Sequence, residues 1–427
     1  MIDRPLTTAF IQTPCPELED DRLEPPLGQL YLATWLRLKG YQAHVVDLSS
    51  HAPARIESEV PRADVFGFST YTATYHRTVA IMRRLRQIYP QAVMVAGGPH
   101  ASALPRRTAE LFDHVVVGEG ELTMERLVET LGRGETPPKV LPESVVQDLN
   151  ALPFPDYELV DLETYSRVVE GRQALSVLTS RGCPYRCVFC NSVVMGRSRR
   201  LRFRSAENVA EEIFALRSRW GVDHFRFQDD TFTLNLPRLR RLTELLRDAG
   251  ITYRCFGRLD RCTREVTDLL YEGGCRHVAF GVESGSPRIL RRMRKGQTVE
   301  DIRRGIRNAK EAGLRVRVYI IVGFPGETSE TIRKTVDLMQ ECRPDEFTVY
   351  PLIPYPGTAL YEHPEHFGIT HLDPDFSRYF QVARGRSTGF VFRTANLDED
   401  RIGEMRREVI ENMPPESVWS GDSEEYK

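Results

Sequence analysis

The stretch Arg181-Gly182-Cys183-Pro184-Tyr185-Arg186-Cys187-Val188-Phe189-Cys190 sets three cysteines at C-x3-C-x2-C spacing, directly after an apolar, strand-like run. Cysteine thiolates hold iron–sulfur clusters, and a [4Fe-4S] cube ordinarily takes four of them, so three on one loop leave one iron open to another ligand. Structural thiols or a zinc site are the alternatives. Structural zinc wants a fourth ligand, usually from a second C-x2-C or H-x3-H pair. The other cysteines, Cys15, Cys255, Cys262, Cys275 and Cys342, are scattered and form no such pair. The spacing therefore points to a cluster loop at Cys183, Cys187 and Cys190.

This loop resembles the signature of the radical S-adenosylmethionine (SAM) enzymes, in which the cluster binds SAM through its open iron and reduces it to methionine and a 5′-deoxyadenosyl radical. The resemblance implies that Cys183, Cys187 and Cys190 are the cluster ligands, and that Phe189 lies near the adenine. An apolar residue packed under the loop is the alternative for Phe189.

Downstream, strand and helix signals alternate. Strands are predicted at 176–179, 225–227, 253–256, 278–282, 316–321 and 347–350, with helices at 207–219 and 237–248 among them. Six βα units suit the family's partial TIM barrel, whose chemistry gathers at the carboxyl ends of the strands. Motifs at those ends fit the resemblance. Gln228-Asp229-Asp230 matches the polar segment that receives the SAM amino group, although either aspartate could instead cap a helix or hold a turn. By the same resemblance Arg258 pairs with a carboxylate, while Glu283 and Ser284 contact the methionine or ribose part of SAM. A salt bridge to Asp260 is the alternative for Arg258. In Gly323-Phe324-Pro325-Gly326-Glu327-Thr328 the two glycines permit close approach to an adenine or ribose, and also read as an ordinary tight turn before a helix. Tyr350 and Tyr355 could touch substrate or line the barrel mouth.

Ahead of the cluster loop, strands at 9–12, 43–47, 65–68, 93–96 and 114–117 alternate with helices at 27–39, about 78–89 and about 107–112. Such alternation implies a mostly parallel sheet covered on both faces. Gly97-Gly98-Pro99-His100-Ala101 and Gly118-Glu119-Gly120-Glu121 fall at strand carboxyl ends, where open α/β sheets place ligands. With Pro25-Pro26-Leu27-Gly28 they resemble the cobalamin-binding domain that precedes many radical SAM enzymes. The dinucleotide fingerprint G-x-G-x-x-G is absent, which argues against a nicotinamide dehydrogenase. So is D-x-H-x-x-G, which would offer a histidine to the metal; His76, His100 and His114 are candidates by position alone, and cobalamin binding stays open.

The expected fold class is α/β: a Rossmann-like cobalamin-binding-type domain (1–140), a proline-rich linker (141–168), a partial (β/α)6 TIM barrel (169–362) and a short C-terminal tail (363–427) without a metal or nucleotide motif. A net charge of −2 and charges interleaved along the helices give no sign of a polyelectrolyte partner, so no nucleic acid is expected. The Arg-rich stretch 197–204 could meet an anionic substrate or a redox partner, or form a solvated turn. No apolar run reaches the ~18–20 residues a membrane span needs, no signal-peptide core opens the chain, and eight cysteines with three in one loop suit a reducing compartment; a cytoplasmic protein is expected.

The resemblance implies a [4Fe-4S] cluster, SAM, an external electron donor such as flavodoxin or ferredoxin, and hydrogen-atom abstraction from a small-molecule substrate. Two outcomes then compete. The C-terminal region after the barrel is shorter than in many methylases of this type, which favours radical dehydration of a polyol or aminosugar, as in the diol dehydratases of aminoglycoside biosynthesis. The alternative is cobalamin-dependent methyl transfer in secondary metabolism. A non-enzymatic iron–sulfur or cobalamin-binding regulator is a third reading, opposed by the polar strand ends.

Overall fold

A computed structural model describes residues 6–18, 20–49, 56–169, 171–195, 200–380 and 389–419. The first six strands are β1 (Thr7–Gln12), β2 (Gln42–Asp47), β3 (Val65–Ser69), β4 (Val93–Gly97), β5 (His114–Val116) and β6 (Val140–Leu141), paired in parallel in the order β2-β1-β3-β4-β5-β6. Side chains alternate across a strand, so β1 buries Phe10 on one face and Ile11 on the other. The Ile11 face packs with Phe66, Phe68, Met94 and the helix Tyr75–Ile88 in a core of its own. The Phe10 face packs with Leu30, Leu36, Val95 and Leu127 in a core that runs on into the second half of the chain. Both faces are covered, as expected of a parallel sheet.

One expected helix is replaced. Where a single helix near 107–112 was expected, the turn Gly98–Ala103 starts straight off β4 with a proline in its first turn, and Pro105–Thr108 follows. Proline fixes φ and needs no N–H partner there, so the helix nucleates early and stays short. The helix Glu121–Gly132 closes the Gly118-Glu119-Gly120 turn and packs against Leu27–Leu38.

The linker is a chain of short turns. Asp148, Asp156 and Asp161 each accept the backbone N–H two residues on, and Tyr157 Oη donates to the Ser176 carbonyl at 2.8 Å.

The second half forms an eight-stranded sheet in the order β18-β15-β14-β13-β12-β11-β8-β7. Its strands are β7 (Val168–Val169), β8 (Arg172–Val177), β11 (His224–Phe227), β12 (Thr252–Gly257), β13 (Cys275–Glu283), β14 (Arg315–Val322), β15 (Glu346–Pro351) and β18 (Val418–Trp419). Two small ladders accompany it, β9 (Ser180–Arg181) with β10 (Arg202–Phe203) and β16 (Ile369–Leu372) with β17 (Phe392–Thr394). From β8 to β15 every pairing is parallel, and helices such as Ala206–Trp220, Leu236–Leu246, Arg264–Glu272, Val299–Glu311 and Ser329–Cys342 cover the outside. This is the curled half-barrel the six βα units foretold.

The C-terminal region, expected as a tail, is built into the fold. The helix Glu399–Glu411 buries Ile402, Met405 and Val409, and β18 pairs with β15. Phe376, Tyr379 and Val391 pack with Ile353 and Leu104, joining both halves of the chain.

Candidate active site

Gly182 turns the chain from β9 into the cysteine loop at φ +93°, where an added Cβ would meet the Arg200 carbonyl at 2.6 Å. The loop is then pinned at several points. Val188 N–H donates to Met293 O at 3.0 Å, and Leu360 N–H donates to Val188 O at 3.3 Å. The Arg258 guanidinium lies 3.4 Å from the Tyr185 ring centroid. The three cysteines are unbonded to one another and half-buried. Burial raises the Cys183 thiol, with Asp230 and Cys190 adding to the effect, and burial likewise raises Cys187. Phe189 packs against the main core, 5.9 Å from the Lys295 ammonium.

Asp229 and Asp230 take opposite tasks. Asp229 is wholly buried and accepts from Thr179 N–H at 2.7 Å, Thr179 Oγ1 at 2.5 Å and Ser180 Oγ at 2.5 Å. It locks the end of β8 beside the cysteine loop, and all its bonds run to the protein. Asp230 accepts from Ser192 Oγ at 2.7 Å and borders an open cavity. Burial raises its pKa, with Asp229 adding to the effect.

Arg258 is also fully used, its Nε donating to Asp260 Oδ1 at 2.9 Å and its Nη2 to Lys295 O at 2.7 Å. Glu283 sits at φ +64° where the β13–β14 register shifts. A non-glycine residue in that region marks a constrained position. Its carboxylate accepts from Lys295 Nζ at 2.6 Å in a buried pair. Burial pulls the Lys295 ammonium's pKa down, but Glu283 and Cys187 outweigh that and leave it raised. Ser284 is buried and accepts the Ser286 N–H at 3.2 Å.

Gly323 holds φ +82°, and its missing Cβ would lie 2.9 Å from Ile402. An added side chain there would collide with the C-terminal helix. Gly326 holds φ +93° beside Arg292. Beneath this turn Glu327, missed by the sequence reading, accepts the N–H groups of Gly323 and Phe324 at 2.6 and 3.1 Å, and burial pushes its pKa up to about 8.

A cavity of about 480 Å³ lies between the two halves. On one side stand Leu27, Gly28, Gly97, Gly98, Gly118 and Gly120, and on the other Ser180, Gly182, Ser192, Gln228 and Asp230. Nothing lies within 4 Å of where a Gly28 Cβ would be, so a side chain at Gly28 would project into free space. Ion pairs join the two rims. Arg181, two residues before Cys183, donates to Glu119 at 2.9 Å and Glu121 at 2.7 Å, its guanidinium lies over Tyr31, and Arg202 also pairs with Glu119. Glu24 crosses to the barrel, accepting from Arg167, Arg226, Gln228 and Ser176.

None of the positional histidines lines this cavity. His100 is buried behind it, stacked on Tyr75 at 4.0 Å with Nδ1 3.2 Å from Thr72 Oγ1, and burial lowers its pKa to about 4. The Nδ1 of His114 lies 2.9 Å from the Pro138 carbonyl oxygen, and His76 is exposed on the helix Tyr75–Ile88. Tyr350 stacks on Tyr319 at 5.9 Å, whereas Tyr355 donates to Tyr379 O at 3.2 Å and faces the C-terminal region. His363, Glu365 and His366 cluster at the surface, fully exposed. Of the Arg-rich stretch, residues 197–199 lie outside the described residues; Arg202 and Arg204 are drawn into ion pairs with Glu119 and Glu212.

Residues 177–339 match the family model of the radical SAM superfamily, and residues 21–128 match that of the B12 binding domain. An uncharacterized methyltransferase PH0819 of Pyrococcus horikoshii is 33% identical over 364 residues, covering 79% of this chain and 78% of the relative. The cytidylyl-2-hydroxyethylphosphonate methyltransferase of Streptomyces wedmorensis is 25% identical over 429 residues, covering 83% and 80%. The fold is shared with the radical SAM methyltransferase TsrM of Kitasatospora setae, solved with cobalamin and a [4Fe-4S] cluster, at TM-score 0.71, 18% identity and coverage of 97% and 91%.

Proposed function

The chain belongs to the radical SAM superfamily and carries a B12 binding domain ahead of its radical SAM domain; from that premise we propose that it is a cobalamin-dependent methyltransferase acting on a small polar molecule. Its cofactors are a [4Fe-4S] cluster, SAM and cobalamin. The expectation of radical dehydration gives way to the alternative, because similar relatives are methyltransferases by name. The regulator reading falls with membership of this enzyme family.

One observation carries the proposal: the glycine-lined cavity opens on the strand-end turns of the first domain and on the Ser180–Gly182 approach to the cysteine loop at once. A methyl carrier held on the glycine side would face the strand ends at which SAM would be held. Bound there, cobalamin would supply a transferable methyl group, and a cluster held by Cys183, Cys187 and Cys190 would supply the electron for SAM cleavage.

The chain's own residues do the holding. Cys183, Cys187 and Cys190 would ligate three irons. Gly28, Gly97 and Gly98 line the cavity, and the free space at the Gly28 Cβ position leaves room there for a broad, flat ligand. Asp230 and Gln228, at the cavity edge, suit the SAM ammonium, while Asp229 acts behind them as a fastener. Glu283 and Lys295 present a fixed pair of opposite charges beside Phe189 and Cys187, positioned to orient the zwitterionic methionine end of SAM. The Arg181–Glu119–Glu121 bridge sets the spacing between the rims.

The test is anaerobic purification, reconstitution with iron, sulfide and hydroxocobalamin, and removal of unbound ligand. Cobalamin retained beside three-cysteine-dependent iron, with label from methyl-labelled SAM reaching the cobalamin, is expected. An intact cluster that retains no cobalamin would overturn methyl transfer.

A further inference from the structure

Side chains on the barrel strands alternate between two faces, and one set, with Phe227, Tyr253, Phe280, Val318 and Val349, packs under the outer helices in the main core. The other set faces into the curl of the half-barrel. At mid-height it holds three aromatic rings, Phe256 on β12, Tyr319 on β14 and Tyr350 on β15. They stack in a row, Phe256 to Tyr319 at 6.2 Å and 25°, and Tyr319 to Tyr350 at 5.9 Å and 20°. All three are half-buried, and among the described residues none joins a hydrophobic core cluster. The rings on the outer face, Phe225, Phe227, Tyr253 and Phe280, are by contrast fully buried and spent on packing.

Strand β13 makes the row possible. Two strand spacings set β12 and β14 about 9.6 Å apart. Between them β13 turns Ala279 and Gly281 inward, in register with Phe256 and Tyr319. The two rings therefore close over a strand nearly bare of side chain. A Cβ at Gly281 would meet Lys295 Nζ at 2.6 Å, so the row ends next to the Glu283–Lys295 pair. Two residues nearer the strand ends, Arg258 follows Phe256 and Glu283 follows Gly281. Deeper in the barrel the neighbours are cationic. The Arg226 and Arg254 guanidiniums lie 5.6 and 6.0 Å from the Phe256 ring centroid. Glu24 serves both Arg167 and Arg226, and Glu346 serves both Arg315 and Arg317, so positive charge prevails on this floor among the described residues.

We propose that the methyl acceptor is a planar aromatic or heteroaromatic molecule bearing a carboxylate or phosphate, its ring on the Phe256–Tyr319–Tyr350 row and its anion at Arg226 and Arg254. This rests on the reading of the chain as a methyltransferase with SAM at the strand ends. A row of near-parallel rings gains most from a flat partner, because aromatic faces stack offset on one another. The guanidinium fork matches the two oxygens of a carboxylate or phosphate. A molecule held so turns its remaining edge toward Glu283 and the strand ends, with its anion kept at the far side. A saturated polyol offers no face to such a row.

The full chain, reconstituted with cluster and cobalamin and given SAM without reductant, is dialysed to equilibrium against four probes of one size: 2-naphthoate, 2-naphthyl phosphate, the neutral 2-naphthamide and the saturated decahydro-2-naphthoate. Both planar anions should bind at least about tenfold more tightly than the amide or the saturated anion. Whichever planar anion binds better assigns the anion as carboxylate or phosphate. Tyr319→Leu should weaken the planar anions about fivefold and leave the saturated one as it was. Arg254→Gln should weaken the anions about tenfold and leave the amide as it was. Iron content and SAM retention report the fold of each variant, and Phe256→Leu and Arg226→Gln make the same two comparisons if either first variant loses iron. Equal binding of planar and saturated anions, no binding of either planar anion, or planar binding unmoved by the ring variants would overturn the proposal. Failure of cobalamin to be retained would sink methyl transfer instead, and the four-probe ranking would still decide what the barrel holds.

Discussion

The two domains face each other across one cavity, yet they furnish their strand ends in opposite ways. The first ends β4 and β5 in glycines, Gly97, Gly98, Gly118 and Gly120, which line the cavity beside Gly28, where an added Cβ would meet nothing within 4 Å. The second ends β11, β12 and β13 in Asp229, Arg258 and Glu283, each buried and each bonded to a partner. Glycine rims make room in two ways: close packing of the turns on the protein's own backbone at Gly98, and open space for a ligand at Gly28. Charged rims hold shape, because a buried charge is tolerated only when its partners are fixed around it. A bulky cofactor fits the first kind of rim, and a loop that must keep three cysteines in place needs the second.

The largest expected effect falls on the charged side. Cys187→Ala should abolish cluster assembly, read as iron content and loss of the broad visible absorption, while the glycine side still retains cobalamin; loss of both together would mean the two rims do not act separately. Gly28→Phe is the complementary change. It adds a ring to open space at an ordinary φ, so cobalamin retention should fall by about an order of magnitude or more with the iron count unchanged, the fold being under no strain from it. A drop in thermal stability instead would show that Gly28 serves packing.

Next comes the buried pair. Lys295→Met leaves Glu283 charged and unpartnered and should cost about 3–5 kcal/mol in denaturant unfolding. Adding Glu283→Gln should return most of that stability without returning SAM binding, which separates holding the fold from orienting the ligand. The smallest change is Gly323→Ala, expected to cost about 1–3 kcal/mol from the left-handed backbone and the contact with Ile402. Ile402→Ala, which removes all three contacting atoms, should relieve the contact part alone in a double-mutant cycle; full rescue would mean that backbone strain at Gly323 is negligible.

Much of this was legible early. The cysteine spacing, the strands and the glycine turns are local patterns, and local patterns are what periodicity and composition report. The misses share a physical cause. Lys295 lies in Arg291-Arg292-Met293-Arg294-Lys295-Gly296, which reads as a solvated turn, and only the return of that turn onto Val188 buries it. Glu327 reads as part of a helix start, and its burial comes from the backbone folding over it. Gly323 reads as a ligand-approach or tight-turn glycine, and the packing of the C-terminal helix on it, from a segment distant in sequence, is a further demand that no local pattern reports.

The amino-acid order alone singled out the three cysteines proposed as cluster ligands, because metal ligation depends on residue type and spacing within one short loop, and it determined the two α/β halves, because hydrophobic period is written locally. Tertiary structure decided which polar strand ends face the cavity and which are spent as fasteners, and that the two halves share one cavity bridged by Arg181, Glu119 and Glu121. Those outcomes depend on burial and on partners more than a hundred residues away, such as Glu24 with Arg226 and Gln228, and no local pattern encodes the distance between them.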